Sequence, residues 1–248
     1  MITKISSGNR IAKILSRSGI ASRREAERLI LKGKVRVNGK LIHSPALNLL
    51  ETDIITVNGK IVNAPEQTKV WRYHKPLNLI TSTKDEKGRT TVFETLPNHM
   101  RKVMSIGRLD INSEGLLLLT NDGQLKRNLE LPSTGWLRKY RVRVRGHPNE
   151  ELLKPLKLGM RVGGEHFKPM DIMIDKQQSA NAWLTIGIRE GKNREIRRAL
   201  ENVGLSVNRL IRISYGPFKL LDLKPGEVAE IKKQVIKDQI GSLIKRKL

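Results

Sequence analysis

The 248-residue sequence contains no cysteine, which excludes disulfide bonds and thiolate metal sites. The five histidines, at positions 43, 74, 99, 147 and 166, are scattered without the close spacing of metal ligands. No stretch approaches the roughly 20 apolar residues of a membrane-spanning helix, and positions 1–4 show no apolar run of the signal-peptide type. We therefore expect a cytoplasmic protein that binds neither a metal nor a membrane.

Acidic residues are scarce relative to basic ones. The chain has 48 Lys and Arg against 24 Asp and Glu, a formal net charge of +24. An excess of this size is more than solubility requires, and it indicates a polyanionic partner. Nucleic acid is the first candidate. An anionic membrane surface is a distant alternative, because the sequence shows no basic amphipathic helix with aromatic anchors.

The basic charge is concentrated at the start of the chain. Residues 1–40 contain eleven Lys or Arg and two acidic residues, a net charge of +9. Apolar positions 11, 14 and 15 predict a first helix, and the capping box over 22–25 predicts a second, which Gly33 is placed to end. Asn38-Gly39 and Asn58-Gly59 are strong hairpin signals. These patterns predict a compact module of two helices followed by small hairpins.

Five basic side chains of this module are candidates for gripping phosphates: Arg10, Lys13, Arg17, Arg23 and Arg24. The alternative is an ordinary solvated face, which is the usual environment of surface Lys and Arg. Acidic residues scarcely compensate this cluster, so mutual repulsion favours an anionic partner. The footprint predicts binding of RNA or DNA.

Residues 63–69 are typical of a linker, and the longer second part has a mixed pattern. Its predicted strands cover 70–74, 116–120, 140–145, 182–188 and 208–214. Its predicted helices cover 124–129, 150–157 and 194–203, and the spacing of apolar residues from 227 onward predicts a last helix. Because regular strand–helix alternation is absent, we expect an α+β fold with a mostly antiparallel sheet.

A polar loop precedes the most apolar run of the chain. Residues 107–115 carry Arg108 and Asp110, and the four leucines that follow predict a short buried strand. An isolated Asp is usually an exposed or turn residue, but loops mounted on rigid strands commonly carry catalytic groups. A catalytic carboxylate must be ionised, and a nearby cation lowers the pKa of such a group. Arg108 and the basic segment 190–198 can both supply that cation.

Two further segments have more than one interpretation. In segment 190–198 Lys192 falls in a turn, whereas Arg194, Arg197 and Arg198 form a stripe that also fits a plain amphipathic helix. The sequence does not show whether Lys192 meets Asp110. Tyr140 begins an alternating strand, and its ring fits a stacking partner for a base and a core side chain equally well.

These motifs resemble two known families. The segments 10–13, 18–27 and 33–39 resemble the S4 RNA-binding module. Gly107-Arg108-Leu109-Asp110, Lys139-Tyr140 and the segment 190–198 are similar to the motifs of the RsuA family of pseudouridine synthases, which joins an S4 module to a catalytic domain in this order. The resemblance implies an S4-like domain over 1–62, a linker over 63–69, a mixed-sheet synthase domain over 70–240 and a basic tail over 241–248.

The resemblance also implies an activity, the isomerisation of one uridine in rRNA to pseudouridine without a cofactor. Asp110 matches the catalytic nucleophile or base, and attack at C1′, attack at C6 and proton abstraction toward a glycal remain open. Tyr140 matches the catalytic tyrosine that stacks on the base and handles protons. Lys192, or else Arg194, matches the cation that pairs with the carboxylate.

The remaining positions match substrate contacts. Arg108 matches the residue that fills the space left by the flipped nucleotide. Ile188 matches the residue that packs beneath the base, and Arg197 matches a substrate-binding position. Within the family, the sequence resembles the branch that acts on large-subunit rRNA. This implies 23S rRNA as the substrate, with small-subunit rRNA as the alternative. We expect a monomer. A non-catalytic RNA-binding or ribosome-assembly factor is the competing hypothesis, because an S4 module explains the charge equally well.

Overall fold

A computed structural model describes residues 8–245 except positions 51, 65, 84 and 101, with side chains described as far as residue 241. The chain divides into two compact units, Met1–Thr68 and Lys69–Leu248. The division falls inside the stretch 63–69. Within the described part of the chain, no helix has the length and apolar character needed to cross a membrane.

The described residues of the first unit form two helices and two small sheets. Its elements are β1 (Asn9–Arg10), α1 (Ile11–Arg17), α2 (Arg23–Leu31), β2 (Val35–Val37), β3 (Lys40–Leu41), β4 (Asn48–Leu49), β5 (Ile55–Val57) and β6 (Lys60–Ile61). Four strands pair in the order β3-β2-β5-β6, and β1 pairs with β4. The apolar faces of both helices are buried against β2 and β5, as the spacing predicted.

Local signals of the first unit are confirmed. Asn38 and Gly39 have φ angles of 48° and 79°, and Asn58 and Gly59 have 50° and 78°. Two successive positive φ angles define the tight hairpin turn that the Asn-Gly pairs predicted. The Ser22 side chain accepts a hydrogen bond from the N–H of Glu25 at 3.3 Å, which caps α2.

The second unit is built on a large sheet. Its strands are β7 (Val70–Lys75), β8 (Met104–Ile106), β9 (Glu114–Thr120), β10 (Arg138–Arg145), β11 (Met160–Val162), β12 (Glu165–Phe167), β13 (Asp171–Gln178), β14 (Asn181–Ile188), β15 (Ser206–Tyr215), β16 (Phe218–Lys219) and β17 (Val228–Glu230). Its helices are α3 (Gly123–Glu130), α4 (Glu150–Leu158), α5 (Glu195–Asn202) and α6 (Lys233–Lys245), with 3-10 turns at Asn98–Met100 and Pro132–Thr134.

The main sheet has nine strands in the order β13-β14-β10-β15-β9-β7-β17, with β16 beside β15 and β8 beside β9. All the pairings are antiparallel except that of β9 with β15, which confirms the predicted α+β class. At this parallel contact a Cβ on Gly115 would lie 2.4 Å from the Arg212 carbonyl oxygen. Glycine, with φ of 103°, is therefore required where the two strands approach.

Apolar layers cover both faces of the central strands. Leu117 and Leu119 of β9 face a cluster that includes side chains of α4 and α5. Leu116 and Leu118 face a second cluster that includes side chains of α3 and α6. All of β9 is buried, as the leucine run predicted.

Two predicted helices differ from the structure. Residues 228–230 form β17 rather than the start of a helix, because Val228 pairs with Tyr73 at the sheet edge, and α6 begins only at Lys233. Helix α5 begins at Glu195 because Arg194 has a left-handed φ of 48°. Helix α6 continues to Lys245, and the end of the expected tail over 241–248 lies outside the described residues.

Strand β13 (Asp171–Gln178) was not predicted. Ile172 and Ile174 alternate with polar residues, but the second half of the strand is polar and exposed. An edge strand of this kind carries a weak hydrophobic signal in the sequence. Its strand conformation is determined instead by its pairing with β14.

Candidate active site

A cavity of about 480 Å³ lies on the face of the main sheet that carries α4 and α5. The loop 107–113, the inward residues of β10, β14 and β15, and the turn 191–195 line it. Six of the sequence-predicted residues meet there: Arg108, Asp110, Tyr140, Ile188, Lys192 and Arg194. A concave site of this volume is typical of small-ligand pockets.

The Asp110 side chain is exposed within a loop that is anchored on both sides. The side chain of neighbouring Leu109 is buried, and its carbonyl oxygen accepts a 2.9 Å hydrogen bond from the Thr81 hydroxyl. The Ser113 N–H donates to the carbonyl oxygen of Asp110 at 3.0 Å, which closes the turn. The carboxylate is thus presented to the cavity from a backbone whose neighbouring groups are held in place.

A buried lysine lies under this loop. Lys75, the last residue of β7, is fully buried, and its Nζ donates to the carbonyl oxygen of Ser113 at 2.8 Å. Burial, together with the charge of Arg212, lowers the pKa of Lys75 to about 8, against the opposing effect of Asp110 and Glu114. The positive charge of Lys75 therefore lies within electrostatic reach of the Asp110 carboxylate.

A buried arginine holds the other end of the loop. Arg212 is 2% exposed, and its Nε donates to the carbonyl oxygen of Leu116 at 2.7 Å. Its Nη1 donates to the carbonyl oxygen of Arg108 at 3.4 Å. The buried Nη2 has no hydrogen-bond partner in the part of the chain that the structure describes. Since Arg212 lines the cavity, a bound ligand with an acceptor oxygen can satisfy that group.

The amine of Lys192 contacts groups other than Asp110. It bonds to the carbonyl oxygen of His166, lies 3.6 Å from a carboxylate oxygen of Glu190 and lies 5.6 Å from the centre of the Phe167 ring. The expected ion pair between Lys192 and Asp110 is therefore not formed among the described residues. The carboxylate and carbonyl oxygens beside the turn hold the lysine instead.

Arg197 approaches the Asp110 loop from α5. Its Nη2 donates to the carbonyl oxygen of Asn112 at 2.7 Å, and its Nη1 donates to the carbonyl oxygen of Val207 at 3.0 Å. Burial and the charge of Arg194 lower the pKa of Arg197, while attraction to Asp110 opposes the shift. Arg197 was predicted as a substrate contact. The structure places it beside the carboxylate loop, although it is not among the residues that line the cavity.

Tyr140 and Ile188 form part of the cavity wall. Tyr140 is 7% exposed, belongs to the main core cluster and lines the cavity, so the two interpretations of its ring are compatible. Ile188 is 4% exposed at the end of β14. Arg108 and Arg194 are exposed at the rim.

A buried carboxyl lies at the base of the turn. Glu195 is 3% exposed, and its Oε2 accepts a 3.0 Å hydrogen bond from the N–H of Lys192. Burial and the neighbouring Glu190 together raise the pKa of Glu195 to about 7, against the lowering effect of that N–H bond. The protonation state of Glu195 is thus coupled to the turn that carries Lys192.

Sequence reasoning missed Lys75, Arg212 and Glu195 as parts of this site. Two signals were available. Lys75 directly follows the predicted strand 70–74 and precedes a proline, and the two-residue period of β15 places Arg212 on the same buried face as Leu210. A charged residue in a core-facing position requires a partner, and it is therefore a candidate site residue.

The first unit contains a second cavity, of about 410 Å³. Three of its five predicted RNA-contacting residues, Arg10, Lys13 and Arg23, line it, together with Asn9 and Glu27. Lys13 Nζ donates to Asn9 Oδ1 at 2.9 Å. Arg17 and Arg24 are not among the lining residues. The structure thus brings together three cations around one concave surface.

Comparison with known proteins gives consistent matches for both units. The family model described as RNA pseudouridylate synthase matches residues 69–202, and the S4 domain model matches residues 9–55. An uncharacterised RNA pseudouridine synthase of Rickettsia prowazekii (strain Madrid E) is 46% identical over 231 residues, which covers 93% of this chain and 97% of the relative.

Two further matches extend over nearly the whole chain. Ribosomal large subunit pseudouridine synthase B of Bacillus subtilis (strain 168) is 36% identical over 231 residues, covering 92% of this chain and 94% of the relative. A crystal structure of a pseudouridylate synthase superposes with a TM-score of 0.66 at 24% identity, covering 93% of this chain and 99% of that chain. The structural match shows a shared fold.

Proposed function

Because the chain belongs to the RNA pseudouridylate synthase family, we propose that its 480 Å³ cavity holds a flipped uridine of 23S rRNA and converts it to pseudouridine. The chain is an rRNA pseudouridine synthase, an isomerase. The observation that carries the assignment of the site is the exposed Asp110 carboxylate at the cavity, on a loop held by two buried cations.

The reaction breaks the N1–C1′ bond of the nucleotide and forms a C5–C1′ bond. The uracil ring turns between the two events, N1 gains a proton and C5 loses one, so the change is redox-neutral. A base stacked in a helix cannot present its glycosidic bond to a protein carboxylate, and extrusion costs a few kcal/mol. Phosphate contacts of the basic surface supply binding energy that offsets this cost.

Asp110 is the group that acts on the nucleotide, by attack at C1′, attack at C6 or proton abstraction. The ring of Tyr140 stacks on the extruded base, and Ile188 packs beneath it. Arg108 occupies the space that the nucleotide leaves. The free Nη2 of Arg212 supports a further contact, a hydrogen bond to an acceptor oxygen of the substrate.

Arg197, rather than Lys192, is the cation that we assign to the Asp110 carboxylate. Support comes from the bond between Arg197 and the Asn112 carbonyl and from the electrostatic coupling of Arg197 to Asp110. We assign Lys192 to the shape of the turn at the cavity wall, with Arg194 at the exposed rim.

The first unit supplies the RNA grip in this proposal, through Arg10, Lys13 and Arg23, with Arg17 and Arg24 as additional contacts. We assign residues 1–62 to the RNA-binding domain, 63–69 to the linker, 70–240 to the catalytic domain and 241–248 to the tail. The enzyme acts as a cytoplasmic monomer. The choice of 23S rRNA rests on the name of the Bacillus subtilis relative.

Mapping by carbodiimide and alkali tests the function. Ribosomal RNA from cells with the gene is compared with rRNA from a deletion strain, and purified protein is then added to the latter. One 23S uridine that stops reverse transcription only where the protein is present supports the proposal. Loss of a 16S signal instead would correct the subunit, and unchanged profiles of both rRNAs would refute the activity.

A further inference from the structure

Five cations lie on the face of the main sheet that is opposite the cavity. On β10 the odd-numbered residues from 139 to 145 are exposed, while Tyr140, Val142 and Val144 are buried. Because side chains alternate across a strand and Tyr140 lines the cavity, the exposed residues point to the other side. We call this surface the basic sheet face: Lys139, Arg141, Arg143 and Arg145 of β10 and Arg209 of β15.

Helices cover only part of this side of the sheet. Ile211 lies opposite Arg141 in the strand register and packs against the cluster that contains residues of α3 and α6. Directly opposite residues share one face, so α3 and α6 cover the β9 side. No described helix of the second unit covers the part formed by β10, β14 and β13, which we call the open part. Met173 of β13, at 60% exposed, and the half-buried Trp183 of β14 lie on this open part.

The charges of the basic sheet face are only partly compensated within the second unit, by Asp171 and Asp175 of the edge strand β13 and by Glu114. Arg143 lies directly opposite Arg209 in the register, and like charges in that relation are destabilising. Arg209 is paired with Glu114 at 2.5 Å, and the Arg141 guanidinium lies 4.7 Å from the centre of the Trp183 ring. Arg143 and Arg145 have no ion pair or side-chain hydrogen bond with any residue that the structure describes.

We propose that the basic sheet face binds the phosphate backbone of an RNA segment other than the one that enters the cavity. Alternate strand residues lie about 6.8 Å apart, so β10 presents a straight row of cations that suits successive phosphates. Trp183 adds an aromatic surface of the kind that stacks on bases. The inference rests on the proposed function for its choice of RNA as the partner. A substrate that contacts both faces must reach around the sheet, as an extended rRNA does and a short stem-loop does not.

The test compares full-length variants in binding to a 23S rRNA transcript over a series of KCl concentrations. The test variant, named the glutamine pair, is Arg143→Gln with Arg145→Gln. The lysine pair, Arg143→Lys with Arg145→Lys, keeps both charges at the same positions. The distant pair, Lys154→Gln with Lys224→Gln, removes two exposed charges elsewhere in the second unit. Circular dichroism and thermal unfolding confirm that each variant is folded.

Each phosphate contact contributes about 0.9 to the slope of log K against log salt. The glutamine pair is therefore expected to flatten the slope by about two and to weaken binding at least roughly tenfold near 0.1 M salt, while the lysine pair and the distant pair keep the wild-type slope. The proposal would be overturned if the slope of the glutamine pair equalled that of wild type, or if the distant pair flattened the slope as much as the glutamine pair does.

Turnover separates this proposal from the proposed function. On a short stem-loop that contains the target uridine, the glutamine pair is expected to keep the wild-type kcat and KM, because the substitutions leave the cavity face unchanged. If wild type forms no pseudouridine in any rRNA, the proposed function fails, whereas the salt-slope comparison still decides whether this face binds RNA. Loss of turnover by the glutamine pair on the short substrate would overturn the placement of this face outside the cavity.

Discussion

The Nζ of Lys75 donates a 2.8 Å hydrogen bond to the carbonyl oxygen of Ser113, three residues after Asp110. The lysine is fully buried, and burial of an ammonium group is costly unless it is paired and hydrogen-bonded. Here the negative charges of Asp110 and Glu114 and the hydrogen bond to the Ser113 carbonyl oxygen offset part of that cost. The contact anchors the loop that carries Asp110 to the buried end of β7.

Lys75→Met is expected to lower kcat about 10²-fold, because the loop loses the donor that fixes its end and small misplacements of a catalytic group are costly. Single-turnover rates on rRNA, with RNA affinity measured in parallel, check this. Lys154→Met, at an exposed position on α4, is the control and is expected to leave both unchanged. A Lys75→Met enzyme with the wild-type rate would show that the buried contact does not position Asp110.

We expect the pH dependence of kcat to report the titration of Lys75. Its pKa of about 8 in the folded protein lies below its ordinary value of 10.5, so the folded state releases this proton first. Stability therefore gains from this group as pH rises from about 8 to 10.5, while the loop loses its cation over the same range. The rate constant kcat is expected to fall above about pH 8 in wild type and to lack that limb in Lys75→Met. An alkaline limb at the same pH in both proteins would assign it to another group.

Arg197→Gln and Lys192→Gln discriminate between the two candidate partners of Asp110. Removing a preorganised charged donor from a reacting centre costs about 10² to 10³ in kcat, and Arg197→Gln is expected to show that loss. Lys192→Gln is expected to lower kcat by less than about tenfold, because its amine is held by Glu190 and His166. Single-turnover kinetics with saturating enzyme measure both, and the reverse order of effects would restore Lys192 as the partner.

Glu195→Gln is expected to make folding stability less dependent on pH. The pKa of Glu195 is about 7 in the folded state against an ordinary value of 4.5, so the folded state binds more protons between these values. Wild type should therefore lose stability relative to the variant as pH rises from 5 to 8, on the order of 2 kcal/mol.

Urea unfolding of both proteins at pH 5 and pH 8 measures this difference. The control is Glu201→Gln, which removes an exposed carboxylate from the same helix. A constant stability difference between wild type and Glu195→Gln across this range would show that Glu195 is ionised throughout.

Replacement of Arg10, Lys13 and Arg23 by Gln is expected to weaken rRNA binding and to flatten its salt slope by about two to three. The kcat at saturating RNA should stay unchanged, because the catalytic cavity is formed by the second unit. The matched control replaces three exposed lysines of the first unit, Lys34, Lys40 and Lys60. Equal slopes for the two triple variants would show that the first cavity has no special part in gripping phosphates.

The sequence predicted those features of the fold that depend on local rules. The Asn-Gly turns, the Ser22 cap and the buried leucine strand follow from backbone geometry and apolar runs, and all three are present. The edge strand β13 and the start of α6 depend on pairing with residues far away in the chain. Local periodicity does not carry that information.

The residues of the candidate site also fall into two groups, those that local motifs predicted and those that long-range contacts bring to the site. Motifs singled out Asp110, Tyr140 and Lys192, which line one cavity. Lys75 reaches the loop from 38 positions away and Arg212 reaches its start from 104 positions away. Which cation faces the carboxylate is decided by these long-range contacts and by the anionic groups that hold Lys192, and the spacing of residues 190–198 does not reveal them.

The Asp110→Asn variant tests the central claim most directly. Asparagine has nearly the same shape as aspartate but supplies no carboxylate, so the cavity and the RNA-binding surfaces stay intact. Carbodiimide mapping of rRNA from a deletion strain, incubated with wild type or the variant, is combined with a measurement of RNA affinity. We predict no pseudouridine at the target and a Kd within a few fold of wild type. Pseudouridine formed at the wild-type rate by Asp110→Asn would contradict the account.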